Sequence, residues 1–287
     1  MKSIRLFFMM LVLAGIQPHV LFADDAVQGW RTRVSTFDRD TYSENDTDEE
    51  RNFGREIAAR LLGQFKMSGN EKLQKYVNLV GMTLTQNCSR PELDFHFVVI
   101  ESSEINAYST PGGYVFVTSA VLAHIKNEAE LAGVLAHEIG HVTGRHIVKE
   151  LSLKGSEKSA VSSIAVLLGG ASETAGIAFS QAVDKAVDII LRDGYKKEDE
   201  MQADSSAVLL CALSGYDPSG LVTFLDKIST IKSGVGTTYP VYDVRLTTLQ
   251  RAMSDEGIAG MKLALNAERF TTAMKPATIN PLDLIRK

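Results

Sequence analysis

The sequence predicts an α+β fold, mainly α, in which a small sheet lies beside one long helix. Three observations carry that prediction. Apolar residues recur at helical spacing along most of the 287 residues. Two stretches only, around 95–100 and 114–117, are dense in Phe, Val and Ile in the manner of strands. The stretch His137-Glu138-Ile139-Gly140-His141 lies inside a helical pattern that opens on a capping box, Asn127 to Glu130.

The first 23 residues read as a secretory signal peptide. Lys2 and Arg5 precede the apolar run Leu6 to Leu13, and Ala23 supplies a small residue for cleavage. That run is short for a span of about 20 residues, so no stable transmembrane span is expected after cleavage. Loss of Lys2 and Arg5 takes the formal charge from −5 two units lower, to −7. No broad basic character remains, so nucleic acid is not an expected partner. Residues 24–46 are polar and acidic and read as an N-terminal arm. Residues 47–287 read as a single domain, and a hydrophobic fraction of 45% can fill its core.

Thr47 to Glu50 reads as a capping box for a helix to about 66, with Ile57, Leu61, Leu62 and Phe65 at helical spacing. A second helix is expected over 71–86. Pro91 breaks the pattern, and a strand follows at 95–100. Tyr108 to Gly113 reads as a turn before the second strand. The helix from Glu128 is expected to run to about 151. Residues 152–192 read as helix broken at glycines, either packed or covering the site. Further helices are expected over 197–213, 218–229 and 242–256. Cys88 and Cys211 could form a disulfide in an oxidising compartment or remain two buried thiols.

On a helix, His137 and His141 lie on one face, so both imidazoles can bind one Zn²⁺. Glu138 is placed to act as general base, the pattern of a zinc hydrolase that cuts peptide bonds. A catalytic zinc needs a third protein ligand. His146 lies off the His137/His141 face and is expected at the surface or outside the ligand shell. His96 and His124 are poor candidates. Glu200 is the best: it shares a helix face with Asp204, which can accept the free N–H of a ligating imidazole. Ala203 between them would let two ligand helices pack closely.

The segment Asn127 to His141, followed by Glu200-x-x-Ala203-Asp204, resembles one family of gluzincin metallopeptidases. It is the family of the CAAX prenyl protease, the Oma-type protease and the periplasmic beta-barrel assembly-enhancing protease. Asn106-Ala107-Tyr108, Pro111-Gly112-Gly113 and Tyr114 to Thr118 match its pattern before the zinc helix. The resemblance covers roughly residues 47–250 and is nearest to the periplasmic, single-domain members.

It implies a zincin-like fold, one Zn²⁺ per chain held by His137, His141 and Glu200, Glu138 as general base and Asp204 as the outer partner. Many members have His-Pro, then Arg five residues after the His; this chain has Tyr239-Pro240 and Arg245. Tyr239 is thus expected to donate a hydrogen bond to the oxyanion, and Arg245 to stand outside the ligands. Asn106, Ala107, Tyr108, Gly113, Tyr114 and Val115 are expected to bind an extended peptide by main-chain hydrogen bonds.

The implied function is cleavage of unfolded or misassembled envelope proteins in the periplasm, near the outer-membrane assembly machinery. No repeat domain like that of the assembly-enhancing protease is expected after residue 250. The alternative is a chaperone-like binding protein with a latent, covered zinc site. A purely structural zinc would leave Glu138 without a task.

Overall fold

The alternation of side chains in a short sheet sets the architecture. The computed structural model describes residues 44–151, 173–229, 231 and 242–274. Its strands are β1 (Lys66–Met67), β2 (His96–Glu101), β3 (Ala107–Thr110) and β4 (Tyr114–Thr118). They lie in the order β1-β2-β4-β3; β2 and β4 are parallel, and the two outer pairings are antiparallel. Successive side chains point to opposite faces. Phe97, Val99, Val115 and Val117 enter a large core on one face. Ile100, Tyr108 and Phe116 enter a smaller core on the other.

Helices cover both faces. The first five are α1 (Glu44–Gln64), α2 (Glu71–Thr85), α3 (Ser119–His124), α4 (Glu128–Thr143) and α5 (His146–Glu150). Then come α6 (Glu173–Asp188), α7 (Lys197–Leu213), α8 (Ser219–Ser229), α9 (Tyr242–Asp255) and α10 (Ala267–Met274). Phe53, Ile57 and Leu61 of α1 and Val183 and Ala186 of α6 fill the smaller core. Helix α4 runs through the larger core, between α2 and the α7–α8–α9 group, with Leu131, Leu135 and Ile139 fully buried. Asn127 caps it: its Oδ1 accepts from the Glu130 N–H at 2.9 Å, while Glu130 Oε2 accepts from the Lys126 N–H at 2.8 Å.

Several expectations are corrected. Helix α1 already includes Glu44, so Thr47 to Glu50 lies inside it and is not its cap. Glu50 is instead buried between Arg90 (2.7 Å) and Arg145 (3.0 Å). Tyr108 to Thr110 is strand, because it pairs with β4; the turn is only Pro111–Gly113, where Gly112 and Gly113 take φ of 78° and 101°. The long helix stops at Thr143, since Arg145 adopts φ 53° and α5 leaves in a new direction. Helix α10 was not legible: one residue, Phe270, is buried, and long-range bonds from Arg269 and Asn266 to Glu128 hold the segment. Cys88 and Cys211 are both free thiols, not a bridge. The expected signal peptide, the arm as far as residue 43, and residues 152–172 and 232–241 lie outside the described residues. Among the described residues no helix is long and apolar enough to cross a membrane.

Candidate metal centre

Helix α4 stacks His137 and His141 one turn apart, with ring centroids at 4.7 Å and their Nε2 atoms 3.1 Å apart. Helix α7 brings Glu200 against both. Its Oε2 lies 3.4 Å from His137 Nε2, and its Oε1 3.5 Å from His141 Nε2. One donor atom from each of the three residues fits within 4.8 Å of the others, and all three residues are buried. The two helices approach closely because Gly140 faces Ala203: a Cβ on Gly140 would stand 3.0 Å from the Ala203 Cα and carbonyl oxygen.

Each imidazole is oriented from behind. Asp204 Oδ1 lies 2.9 Å from His137 Nδ1. Arg245, from α9, grips Asp204 with two donors, NH2 to Oδ1 at 2.6 Å and Nε to Oδ2 at 2.9 Å. Behind His141, the Nδ1 of His146 lies 2.8 Å from His141 Nδ1. The spacing of five residues suggested that His146 pointed away. The left-handed turn at Arg145 brings it back, and it is fully buried. Gly144, which ends α4, was the available signal. Tyr195, which the sequence did not single out, stacks on His141 with ring centroids 3.9 Å apart and planes at 17°.

Glu138 points to the opposite strand. Ser109 Oγ donates to its Oε2 at 2.8 Å. Ser109 was hidden by the turn reading; as a strand, β3 sends Tyr108 and Thr110 towards α1 and Ser109 towards α4. Burial raises the Glu138 carboxyl above its usual range, so it readily holds a proton. Burial would also raise Glu200, but the His137 ring 3.4 Å away and the charge of Arg245 outweigh it and hold Glu200 at about 2. Asp204 likewise lies at about 2, where Arg245 overcomes burial. Burial and Arg245 push His137 down, yet the Asp204 and Glu200 carboxylates beside it lift it to about 9. The carboxylates that favour this proton would equally favour a cation. Burial drives His141 well below its usual value and takes His146 to about 4, so both rings are neutral.

The donor chemistry fits a metal. Glu200 Oε2 is buried and makes no hydrogen bond among the described residues. Two imidazole nitrogens and a carboxylate converging in a buried space are the donor set of a catalytic zinc site.

The expected peptide-binding residues divide. Strand β4 is flanked on both sides, by β2 and β3, so Tyr114 and Val115 offer no free edge. Tyr114 stacks instead on His96, and Val115 is core. Gly113 serves the turn: a Cβ there would meet the Asp94 carbonyl at 2.9 Å. The Tyr108 ring is buried against Phe65, so only its main chain could meet a ligand. Strand β3, with Ala107 and led by Asn106, is the terminal strand of the sheet among the described residues. Asn106 bonds locally, its N–H donating to Thr118 Oγ1 at 3.3 Å. His124 bonds within α3, to the Ala120 carbonyl. Tyr239 lies outside the described residues.

A mainly helical fold, a small sheet beside the HExxH helix and a glutamate from a later helix together make the architecture of a metallopeptidase-type domain. The chain belongs to peptidase family M48, whose model matches residues 71–253. It is 32% identical to the beta-barrel assembly-enhancing protease of Escherichia coli (strain K12) over 188 residues, 63% of this chain and 37% of that protein. It is 27% identical to the mitochondrial metalloendopeptidase OMA1 of Arabidopsis thaliana, over 48% of this chain and 27% of that one. It is 24% identical to the metalloprotease YcaL of Escherichia coli (strain K12), over 64% of this chain and 69% of that one. The chain therefore spans well under half the length of the first of these relatives.

Proposed function

We propose that this chain is an exported, zinc-dependent endopeptidase acting on unfolded or misassembled envelope proteins in the periplasm. The observation that carries the reading is the convergence of His137, His141 and Glu200 donor atoms within 4.8 Å, with Glu138 beside them. His137, His141 and Glu200 would hold the ion, one per chain. When bound, zinc lowers the pKa of its water and polarises a carbonyl.

The chain's own residues supply the rest. Glu138 takes a proton from the attacking water and passes it to the leaving amine nitrogen. Ser109 orients that carboxylate. Asp204 accepts the Nδ1–H of His137, and Arg245 fixes Asp204. Tyr239 is assigned as donor to the oxyanion. Strand β3 receives an extended peptide by main-chain hydrogen bonds, which read little side-chain identity and so suit unfolded chains. The signal-like N-terminus supports export, and the likeness to a beta-barrel assembly-enhancing protease supports a place near outer-membrane assembly.

The test combines two variants. Glu138→Gln should abolish cleavage of unfolded casein while retaining zinc. Glu200→Ala should lose stoichiometric zinc. Full zinc retention in Glu200→Ala would remove Glu200 from the ligand set. A wild type that binds zinc and casein yet never cuts would favour a chaperone-like binding protein.

A further inference from the structure

We infer that His146 is a positioning residue for the metal centre, fixing the tautomer of His141 and itself fixed by Gln202. The inference rests on the metal-centre reading above. His146 Nδ1 and His141 Nδ1 lie 2.8 Å apart. At that distance one nitrogen donates and the other accepts.

The far side of His146 decides which. Its Nε2 faces Gln202 Oε1 at 3.1 Å and Asp199 Oδ1 at 3.7 Å. Both are acceptor oxygens, so Nε2 carries the proton of His146. The Nδ1 of His146 is then a bare lone pair, and His141 donates to it from its own Nδ1. The remaining lone pair of His141 therefore sits on Nε2, the atom that faces His137 and Glu200.

The backbone is shaped for this contact. Arg145 takes φ 53°, which returns the chain towards α4. Gly144 leaves space for the ring, since a Cβ there would stand 2.3 Å from His146 Nε2. Gln202 and Asp204 belong to the same helix as Glu200. Helix α7 thus contributes one carboxylate to the cluster and sets the tautomers of both imidazoles that meet it.

The experiment uses the full-length protein with Zn²⁺ or Co²⁺. Zinc affinity is measured by competition with a chelator, and site geometry by the visible spectrum of the Co²⁺ form. His146→Leu should lower zinc affinity by roughly 10–100-fold and change the Co²⁺ spectrum. His146→Asn, whose amide oxygen can accept from His141, should recover most of both. Gln202→Met should weaken zinc less, with the thermal stability of the metal-free protein unchanged.

Wild-type affinity and spectrum in His146→Leu would overturn the proposal, as would an Asn variant no better than Leu. Should His146→Leu not fold, Gln202→Met decides: unchanged affinity and spectrum there would overturn it. A wild type without stoichiometric zinc would overturn the metal-centre reading and this inference with it. Full zinc in wild type with a silent Gln202→Met and His146→Leu would overturn this inference alone.

Discussion

Ser109 Oγ donates a 2.8 Å hydrogen bond to Glu138 Oε2, tying strand β3 to helix α4 at a point where both residues are buried. Hydrogen bonds to charged groups contribute about 1.5–3 kcal/mol. Ser109→Ala should therefore lower kcat for casein by roughly tenfold or more. Zinc content should stay stoichiometric, because the Ser109 hydroxyl bonds to Glu138, which is not one of the three proposed ligands. An unchanged kcat would separate Ser109 from the chemistry.

Arg245 holds Asp204 through two nitrogens, and a lysine cannot reproduce that fork. Arg245→Lys should loosen the carboxylate that orients His137. The expected result is a fall in zinc affinity on the order of 10-fold or more, read by chelator competition. Equal affinity in the two proteins would show that Asp204 needs no such support.

Glu50 lies between Arg90 and Arg145, with side chains 1%, 3% and 6% exposed. Removing one partner of a buried ion pair costs about 3–5 kcal/mol, because the remaining charge stays desolvated. Glu50→Ala should accordingly lower the melting temperature by several degrees. Arg145 forms the turn that presents His146, so zinc affinity should fall as well. A variant as stable as wild type would show that water replaces Glu50 at no cost.

Burial raises both cysteine thiols, so the thiolate fraction at pH 8 is below that of an ordinary cysteine. The native protein should react slowly with a disulfide reagent at pH 8. After denaturation without reductant, two thiols should react promptly. Because the folded pKa values are raised, reaction of the native protein should accelerate as pH rises. No reactive thiol in the denatured protein would reveal a bridge.

Much of the site was legible in the sequence because it depends on one helix at a time. His137 and His141 share a face through the period of α4, and Asn127 caps that helix from three residues away. Glu200 and Asp204 share a face of α7 for the same reason. The strands β2 and β4 were visible from their density of Phe, Val and Ile. What failed was local as well as distant. The box at Thr47 looked like a cap because its residue types suit one, but Glu50 is engaged by arginines 40 and 95 positions away.

The identity of the ligating helix, its period and the carboxylate helix were therefore set by local chain geometry, which repeats every 3.6 residues wherever the helix stands. Three features belong to tertiary structure alone. Ser109 meets Glu138 only because β3 pairs with β4 and turns that side chain towards α4. His146 meets His141 only because Arg145 takes a left-handed conformation that Glu50 holds from another helix. The terminal place in the sheet, among the described residues, falls to β3 because β4 lies between β2 and β3. Each depends on contacts between segments far apart in the chain, where no periodicity links one residue to the other.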